Sequence, residues 1–383
     1  MRRLVLAVCL AVGLALAARA PAQTGVRSDM SDFDRAYQAA QQARDQNRDS
    51  DAIALLHKAL SVRPESEEAL WYLGTLLYEK NEFAGSRDTL RHFLTLRPDA
   101  GPGWAILGLN EFQLHEYKRA LEHLEKATAS GLGERAELTR VVLFDQAVLL
   151  TRAERFDDSM DVLVKLLTAN PPDASIVEAV GLSGLRLPLL PAEIPVNETE
   201  IVELAGEAVV ALQTQNNDEA EAAFEKLLMA YPSEPGVHFL VGAYRMQRHP
   251  DQAISEFEQE LRISPSHVLA RVRIAEQLLA QSDPARALEL ARDAIRLDPG
   301  RASAHMLAGE ALLQVGDAPA GIKELETARG ADPDLRRTHW DLLRAYAAAG
   351  RNNDAAREKE QIDRLLRADT PTHLGDPADV PRN

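Results

Sequence analysis

The sequence predicts an all-α solenoid of tandem helix-turn-helix repeats, and three observations predict it. Prolines recur at a spacing close to 34 residues, and a small residue recurs twelve places before each of them. Alanine, leucine, glutamate and arginine, which favour helix, recur throughout the chain. Hydrophobic residues make up 45% of the composition, which is enough to bury a core, although only 5% are aromatic.

The chain begins with the layout of a secretory signal peptide, which we place at residues 1–22. Two arginines precede an apolar run of 15 residues from Leu4 to Ala18, and small residues up to Ala22 offer a cleavage pattern. This run is shorter than the roughly 20 apolar residues that span a bilayer. We therefore expect a periplasmic or secreted protein without an integral span in the mature chain. An uncleaved N-terminal membrane anchor is the alternative.

The repeat itself is interpreted as two amphipathic helices joined by a short turn. Four of the six intervals between the closing prolines are 33 or 34 residues. Small residues in the middle of each helix, such as Gly74 and Ser86, let the two helices approach closely. Proline ends the second helix because it cannot continue the hydrogen-bonding pattern. The closing prolines are Pro64, Pro98, Pro171, Pro232, Pro265, Pro299 and Pro333.

The turn inside each repeat also has a residue pattern. Gly316 and Gly350 lie where a left-handed residue would end the first helix. Polar residues beside the same turns are expected to cap the second helix. These expected caps are Asn81, Asn217, Asp317 and Asn353.

This pattern resembles the tetratricopeptide repeat (TPR) family. The resemblance is carried by residues 67–98, 103–127 and 303–333, and about nine units in register extend from Phe33 to roughly Leu366. It implies a right-handed superhelix whose first helices line a concave side that binds a protein or peptide. The residues that match the family signature best are Trp104, Gly108, Tyr117, Ala120 and Ala127.

The units are expected to form two arrays. About four units occupy residues 31–173, and about five occupy 201–368. Between them, 174–200 is interpreted as an incomplete unit followed by a proline-rich insert, which either covers neighbouring helices, forms a hinge or docks a partner. The tail, 369–383, contains several prolines and is expected to be disordered.

Composition and motifs exclude several function classes. The chain has 43 basic and 59 acidic residues, a net charge of -16, which opposes nucleic-acid binding. None of the ten histidines belongs to a metal-binding motif, and no nucleophile elbow, phosphate-binding loop or dinucleotide fingerprint occurs. We therefore expect neither an enzyme nor a cofactor. The sequence does not predict the oligomeric state.

The candidate site is a stripe on the first helices. The residue three places before the small residue is aromatic in five of nine units, although aromatic residues are scarce. The stripe is either packing between adjacent units or an apolar groove for a peptide or partner helix. The groove predicts a non-catalytic scaffold or adaptor. The alternative is a structural subunit of a cell-envelope assembly that docks through the convex face or residues 181–200. The candidate groove residues are Tyr37, Trp71, Tyr78, Phe112, Phe144, Phe239, Met246, Met306 and Trp340.

Overall fold

The computed structural model describes residues 31–169, 171–246 and 248–368. Across these residues it has 19 α-helices, two short 3-10 turns and no strand. The predicted all-α fold of tandem helical hairpins is therefore confirmed. The predicted signal peptide, 1–22, and the predicted disordered tail, 369–383, lie outside the described residues.

Two compact units make up the chain, and the division between them lies at Glu225 and Lys226. In the first unit, each first helix pairs with the second helix that follows it to form a hairpin, and successive hairpins pack on one another. The helices are α1 (Asp32–Asp45), α2 (Asp49–Val62), α3 (Glu67–Glu79), α4 (Phe83–Leu96), α5 (Gly101–Gln113), α6 (Tyr117–Ser130), α7 (Ala136–Arg152), α8 (Phe156–Ala169), α9 (Ala174–Gly184) and α10 (Thr199–Gln213).

The division falls inside α11 (Asn217–Ala230), so the predicted boundary segment, 174–200, lies within the first unit. The second unit has the same architecture of stacked hairpins. Its remaining helices are α12 (Val237–Arg245), α13 (Pro250–Ile263), α14 (Val268–Ala280), α15 (Pro284–Leu297), α16 (Ala302–Gln314), α17 (Ala318–Ala331), α18 (Arg336–Ala348) and α19 (Asn352–Ala368).

The small residues lie where the two helices of a hairpin cross, as the sequence predicts. A Cβ atom added to Gly74 would be 2.8 Å from Leu90 Cγ, and one added to Gly309 would be 2.7 Å from Leu325 Cγ. Ser86 Oγ donates a hydrogen bond to the carbonyl oxygen of Gly74 at 2.7 Å. A larger side chain at these positions would force the helices apart.

The turns inside eight hairpins reverse through one residue with positive φ. Gly316 and Gly350 occupy this position as predicted, and Asp317 caps α17 by accepting from the backbone N–H of Ala320. The other three predicted caps are wrong. Asn81 itself occupies the left-handed position, because asparagine tolerates that conformation better than most residues. Asn217 and Asn353 are the first and second residues of their helices rather than caps.

The segment after α9 contains no second helix. Residues 185–198 form a loop with two 3-10 turns, Pro191–Glu193 and Val196–Glu198. As a result, α10 packs directly against α9. A Cβ atom added to Gly181 would lie 2.0 Å from the carbonyl oxygen of Val202 in α10.

The loop is held onto α7 and α8. Arg152 of α7 forms an ion pair with Glu193. Glu193 also accepts from the backbone N–H of Leu190, whose side chain is buried. Arg186 lies over the ring of Phe156, with its guanidinium carbon 4.5 Å from the ring centroid. These contacts support the interpretation that the loop covers neighbouring helices.

Candidate functional site

Three of the candidate groove residues are buried inside the hairpins of the first unit. Trp71, 7% exposed, packs against Phe93 of its own hairpin with ring centroids 5.4 Å apart. Tyr78 packs against Phe83 at 5.9 Å. Phe144 is also buried. Packing within the hairpin accounts for Trp71 and Tyr78, and burial leaves all three side chains little surface to offer a partner.

The other two candidates in the first unit are half-buried. Tyr37 stacks on Phe33 with ring centroids 5.7 Å apart and meets Tyr72 edge-on at 6.2 Å. Phe112 meets the ring of Tyr117 at 5.8 Å. Both residues remain partly exposed to solvent.

In the second unit, three candidates are buried or half-buried. Phe239 is buried and packs against Phe257, with ring centroids 5.6 Å apart. Met246 is half-buried, and Met306 is only 5% exposed. Phe239 and Met306 hold the position three residues before the small residue of their repeats, and Met246 lies one turn after the small residue of its repeat. The neighbouring helices set how far each of these side chains is exposed.

Trp340 is the exposed member of the nine, with 47% of its surface accessible. Val272 and Met306 hold the same position on α14 and α16, and each is 5% exposed because the next first helix packs beside it. Among the described residues no first helix follows α18. Trp340 therefore presents a large apolar ring that the fold leaves uncovered.

An arginine fork joins the first helices on this side. Arg337 Nη1 donates to Glu276 Oε1 of α14 at 2.9 Å, and Nη2 donates to Glu310 Oε2 of α16 at 2.6 Å. One guanidinium thus links α14, α16 and α18, because its planar group can donate to two carboxylates at once. This fork keeps the helix that carries Trp340 in a fixed position.

Two further arginines flank Trp340. Arg336 and Arg344 lie four residues before and after it, so the three side chains follow one face of α18. We call these three residues the α18 stripe. Arg344 is 74% exposed in its side chain and pairs with the buried Asp341. Burial raises the pKa of the Asp341 carboxyl, and the hydrogen bond from Arg344 opposes that shift.

The sequence pattern places Trp340 among nine candidate residues on the first helices but does not indicate the three arginines. The signal was present: two arginines at a spacing of four residues on either side of an aromatic residue, in a chain with net charge -16. Only the structure shows that this aromatic ring is uncovered.

Comparison with known proteins identifies the repeat. Models described as tetratricopeptide repeat match residues 37–101, 205–268, 242–302 and 278–345, which together cover more than half of the chain. The chain belongs to the tetratricopeptide repeat family. TPR proteins bind protein partners, and this TPR chain is accordingly a protein-interaction scaffold. Folds of this type are generally non-catalytic. No curated protein matches the chain.

Solved TPR-like structures are similar only at a low level. A structure of the MamA protein is 18% identical and covers 49% of this chain and 100% of its own, with a TM-score of 0.39. MamA 41-end from Desulfovibrio magneticus RS-1 is 18% identical, covering 45% of this chain and 96% of its own, with a TM-score of 0.38. The APC/C hetero-tetramer Cut9-Hcn1 is 14% identical, covering 88% of each chain, with a TM-score of 0.42. With TM-scores this low, these likenesses say nothing about what this TPR protein binds.

Two properties of the described TPR residues bear on metal binding and on membrane insertion. No group of three or more His, Cys, Asp or Glu side chains among them is placed to hold a metal ion. No helix in residues 31–368, apart from the undescribed positions 170 and 247, has the length and apolar character needed to cross a bilayer.

Proposed function

We propose that this TPR protein is a non-catalytic adaptor that holds a peptide or a partner helix on the face formed by its first helices, and that the α18 stripe is a principal contact. The observation that carries the proposal is the exposure of Trp340, at a position that the next helix covers in the two preceding repeats. Exposed aromatic and arginine side chains are the residue types most enriched at the centres of protein interfaces.

The side chains of the α18 stripe restrict the kind of partner segment that can bind there. An apolar side chain of the partner would pack on the indole ring of Trp340. Carboxylates of the partner would pair with Arg336 and Arg344, whose guanidinium groups suit planar carboxylates. The complementary partner is an acidic segment with an apolar or aromatic residue.

A substitution with a matched control tests this function. A partner is first captured from cell envelopes with the natural chain, and its dissociation constant is then measured. Trp340→Ala should weaken binding by about tenfold or more, the size typical of a central interface aromatic residue. Met229→Ala removes another exposed apolar side chain, 77% exposed, and should leave binding unchanged. Equal affinity of Trp340→Ala and the natural chain, with helicity retained in both, would show that the α18 stripe is not a principal contact and would overturn the proposal.

A second candidate function is supported by the loop after α9. Val196 is 94% exposed at the second 3-10 turn of this loop. A structural subunit of an envelope assembly would dock such a segment in a neighbouring protein. In the same binding assay, loss of the partner with Val196→Asp but not with Trp340→Ala favours this alternative.

We further propose that the chain is exported, on the basis of its basic and apolar first 22 residues. Fractionation of cells expressing the full chain, with mass measurement of the product, tests the proposal. Recovery in the cytoplasm at full mass would overturn it, and recovery in the membrane fraction at full mass would favour the uncleaved anchor.

A further inference from the structure

The hairpin that carries Trp340 differs in charge from the rest of the chain. Residues 336–368 contain eight arginine and lysine residues against five carboxylates, a net charge of +3, whereas the whole chain has -16. The following residues, 369–383, contain three aspartates and one arginine, a net charge of -2. A basic, apolar face and an acidic segment therefore follow one another directly in the chain.

The register of α18 against α19 sets the distance that this segment must cover. His339 Nδ1 lies 2.6 Å from Glu358 Oε2, so the two residues are side by side in the hairpin. Ala368 ends α19 ten residues after Glu358, which corresponds to about 15 Å along the helix axis. With about 9 Å between neighbouring helix axes, the straight line from the end of α19 to Trp340 is about 18 Å.

The spacing of side chains in the segment matches this distance. Pro371 lies between Ala368 and Leu374 and favours an extended chain, with a rise of about 3.1 Å per residue. Leu374 is six residues beyond Ala368 and can therefore reach about 19 Å from it, again at about 3.1 Å per residue.

The same geometry also brings a second pair of side chains, Asp376 and Arg344, to matching positions. Asp376 lies two residues after Leu374, which is about 6 Å along an extended chain. Arg344 lies four residues after Trp340, also about 6 Å along α18. An apolar residue and a carboxylate in the segment thus have the same separation as an apolar ring and a guanidinium on the helix.

We propose that residues 369–376 of this chain dock on the α18 stripe, with Leu374 on the ring of Trp340 and Asp376 on Arg344. The contact covers the aromatic ring that the array leaves exposed and neutralises part of the basic hairpin. It is intramolecular, so it stands whether or not a partner uses the same face. A partner that does bind there competes with the segment, which sets a threshold for binding.

Tryptophan fluorescence of the full chain tests the contact. The protein has three tryptophans, Trp71, Trp104 and Trp340, and subtracting the signal of a Trp340→Phe variant isolates the third. The double variant Leu374→Ser/Asp376→Lys should raise acrylamide quenching of Trp340 about twofold, because the ring loses its apolar cover. The double variant Val380→Ser/Asp379→Lys makes the same chemical changes farther along the segment and should leave quenching as it is in the natural chain.

Further measurements of Trp340 quenching also test the contact between residues 369–376 and the α18 stripe. Sodium chloride at about 0.5 M should raise Trp340 quenching in the natural chain, because salt screens the ion pair. Equal quenching of Trp340 in the natural chain and in Leu374→Ser/Asp376→Lys would overturn the proposal. Protection of Trp340 that grows with protein concentration would also overturn it, since a second copy would then be the cover. Partner affinity is measured separately, so failure of this contact leaves the proposed function standing.

Discussion

His339 joins two repeats by placing its Nε2 atom 2.8 Å from the carbonyl oxygen of Pro333, the proline that closes the preceding repeat. The same contact recurs wherever a donor stands six residues after a closing proline. Each donor satisfies a carbonyl that lies just beyond a helix end and has no partner within that helix. The other pairs are Trp104 with Pro98, His238 with Pro232, Arg271 with Pro265, and His305 with Pro299.

Replacing His339 by leucine should destabilise the last hairpin by about 2 to 3 kcal/mol, because a buried carboxylate and a carbonyl each lose a partner. Glu358, the carboxylate on the other ring nitrogen, keeps its contact with Arg329. The ends of a repeat array unfold first, so hydrogen exchange of the α18 amides measures the effect directly. His92→Leu, at an exposed position on α4, is the control and should change the exchange little. Unchanged protection of α18 in His339→Leu contradicts this assignment.

The sequence predicts the features that the backbone itself imposes. Only a few residue types can end a helix or let two helices cross closely. The regular prolines and the small residues Gly74 and Ser86 are therefore recognisable in the sequence. The donor after each proline is not predictable in this way, because tryptophan, histidine and arginine share an N–H group but little else.

The exposure of the candidate site residues is likewise not predictable from the repeat pattern. Trp71 and Trp340 occupy one helical position, yet one is 7% exposed and the other 47%. The difference comes from the neighbours of each helix, which a repeat pattern treats as identical. The contact between Arg337 and Glu276 likewise spans 61 residues, and no local pattern indicates it.

The left-handed turns predict a pair of opposite stability changes. Gly316→Ala should destabilise the protein by about 1 kcal/mol, because a side chain at φ 92° is strained. Glu154→Gly, at φ 60° in the equivalent turn, should stabilise it by up to about 1 kcal/mol. Gly330→Ala is the control: it has an ordinary helical φ and open space around its Cβ, so it should be neutral or slightly stabilising in thermal denaturation. Equal melting temperatures of Gly316→Ala and Gly330→Ala would contradict the backbone strain expected at position 316.

The close approach of α9 and α10 predicts a severe effect at Gly181. A Cβ at this position would meet the carbonyl oxygen of Val202 at 2.0 Å, and backbone cannot move aside as a flexible side chain can. Gly181→Ala should therefore destabilise the first unit by about 3 kcal/mol or more. Gly85→Ala is the matched change, since its Cβ would make an ordinary contact of 3.5 Å with Leu77. It should stabilise α4 by about 0.5 to 1 kcal/mol. Urea denaturation of both variants separates the two effects, and similar midpoints would refute the direct packing of α10 on α9.

Asp145 on α7 predicts a pH dependence of stability. Burial raises the pKa of its carboxyl to about 7, and the described residues provide no ion pair or hydrogen bond to offset that burial. The pKa in the unfolded chain is about 3.9, so the folded state binds the proton more tightly. The stabilisation from this proton is complete below about pH 4 and is lost as the pH rises through about 7.

Asp145→Asn removes this titration while keeping the shape of the side chain. The variant should be more stable than the natural chain at about pH 8, by about 1 to 2 kcal/mol, and the gain should shrink toward about pH 5. The gain is smaller than full burial would give because the side chain keeps partial contact with solvent. Urea denaturation at both pH values measures the difference between the two proteins, so titrations common to both cancel. Asp161→Asn, at an exposed site on α8, is the control and should give the same small difference at each pH. A difference between Asp145→Asn and the natural chain that does not vary with pH would mean that the Asp145 carboxylate is charged in the folded protein throughout this range.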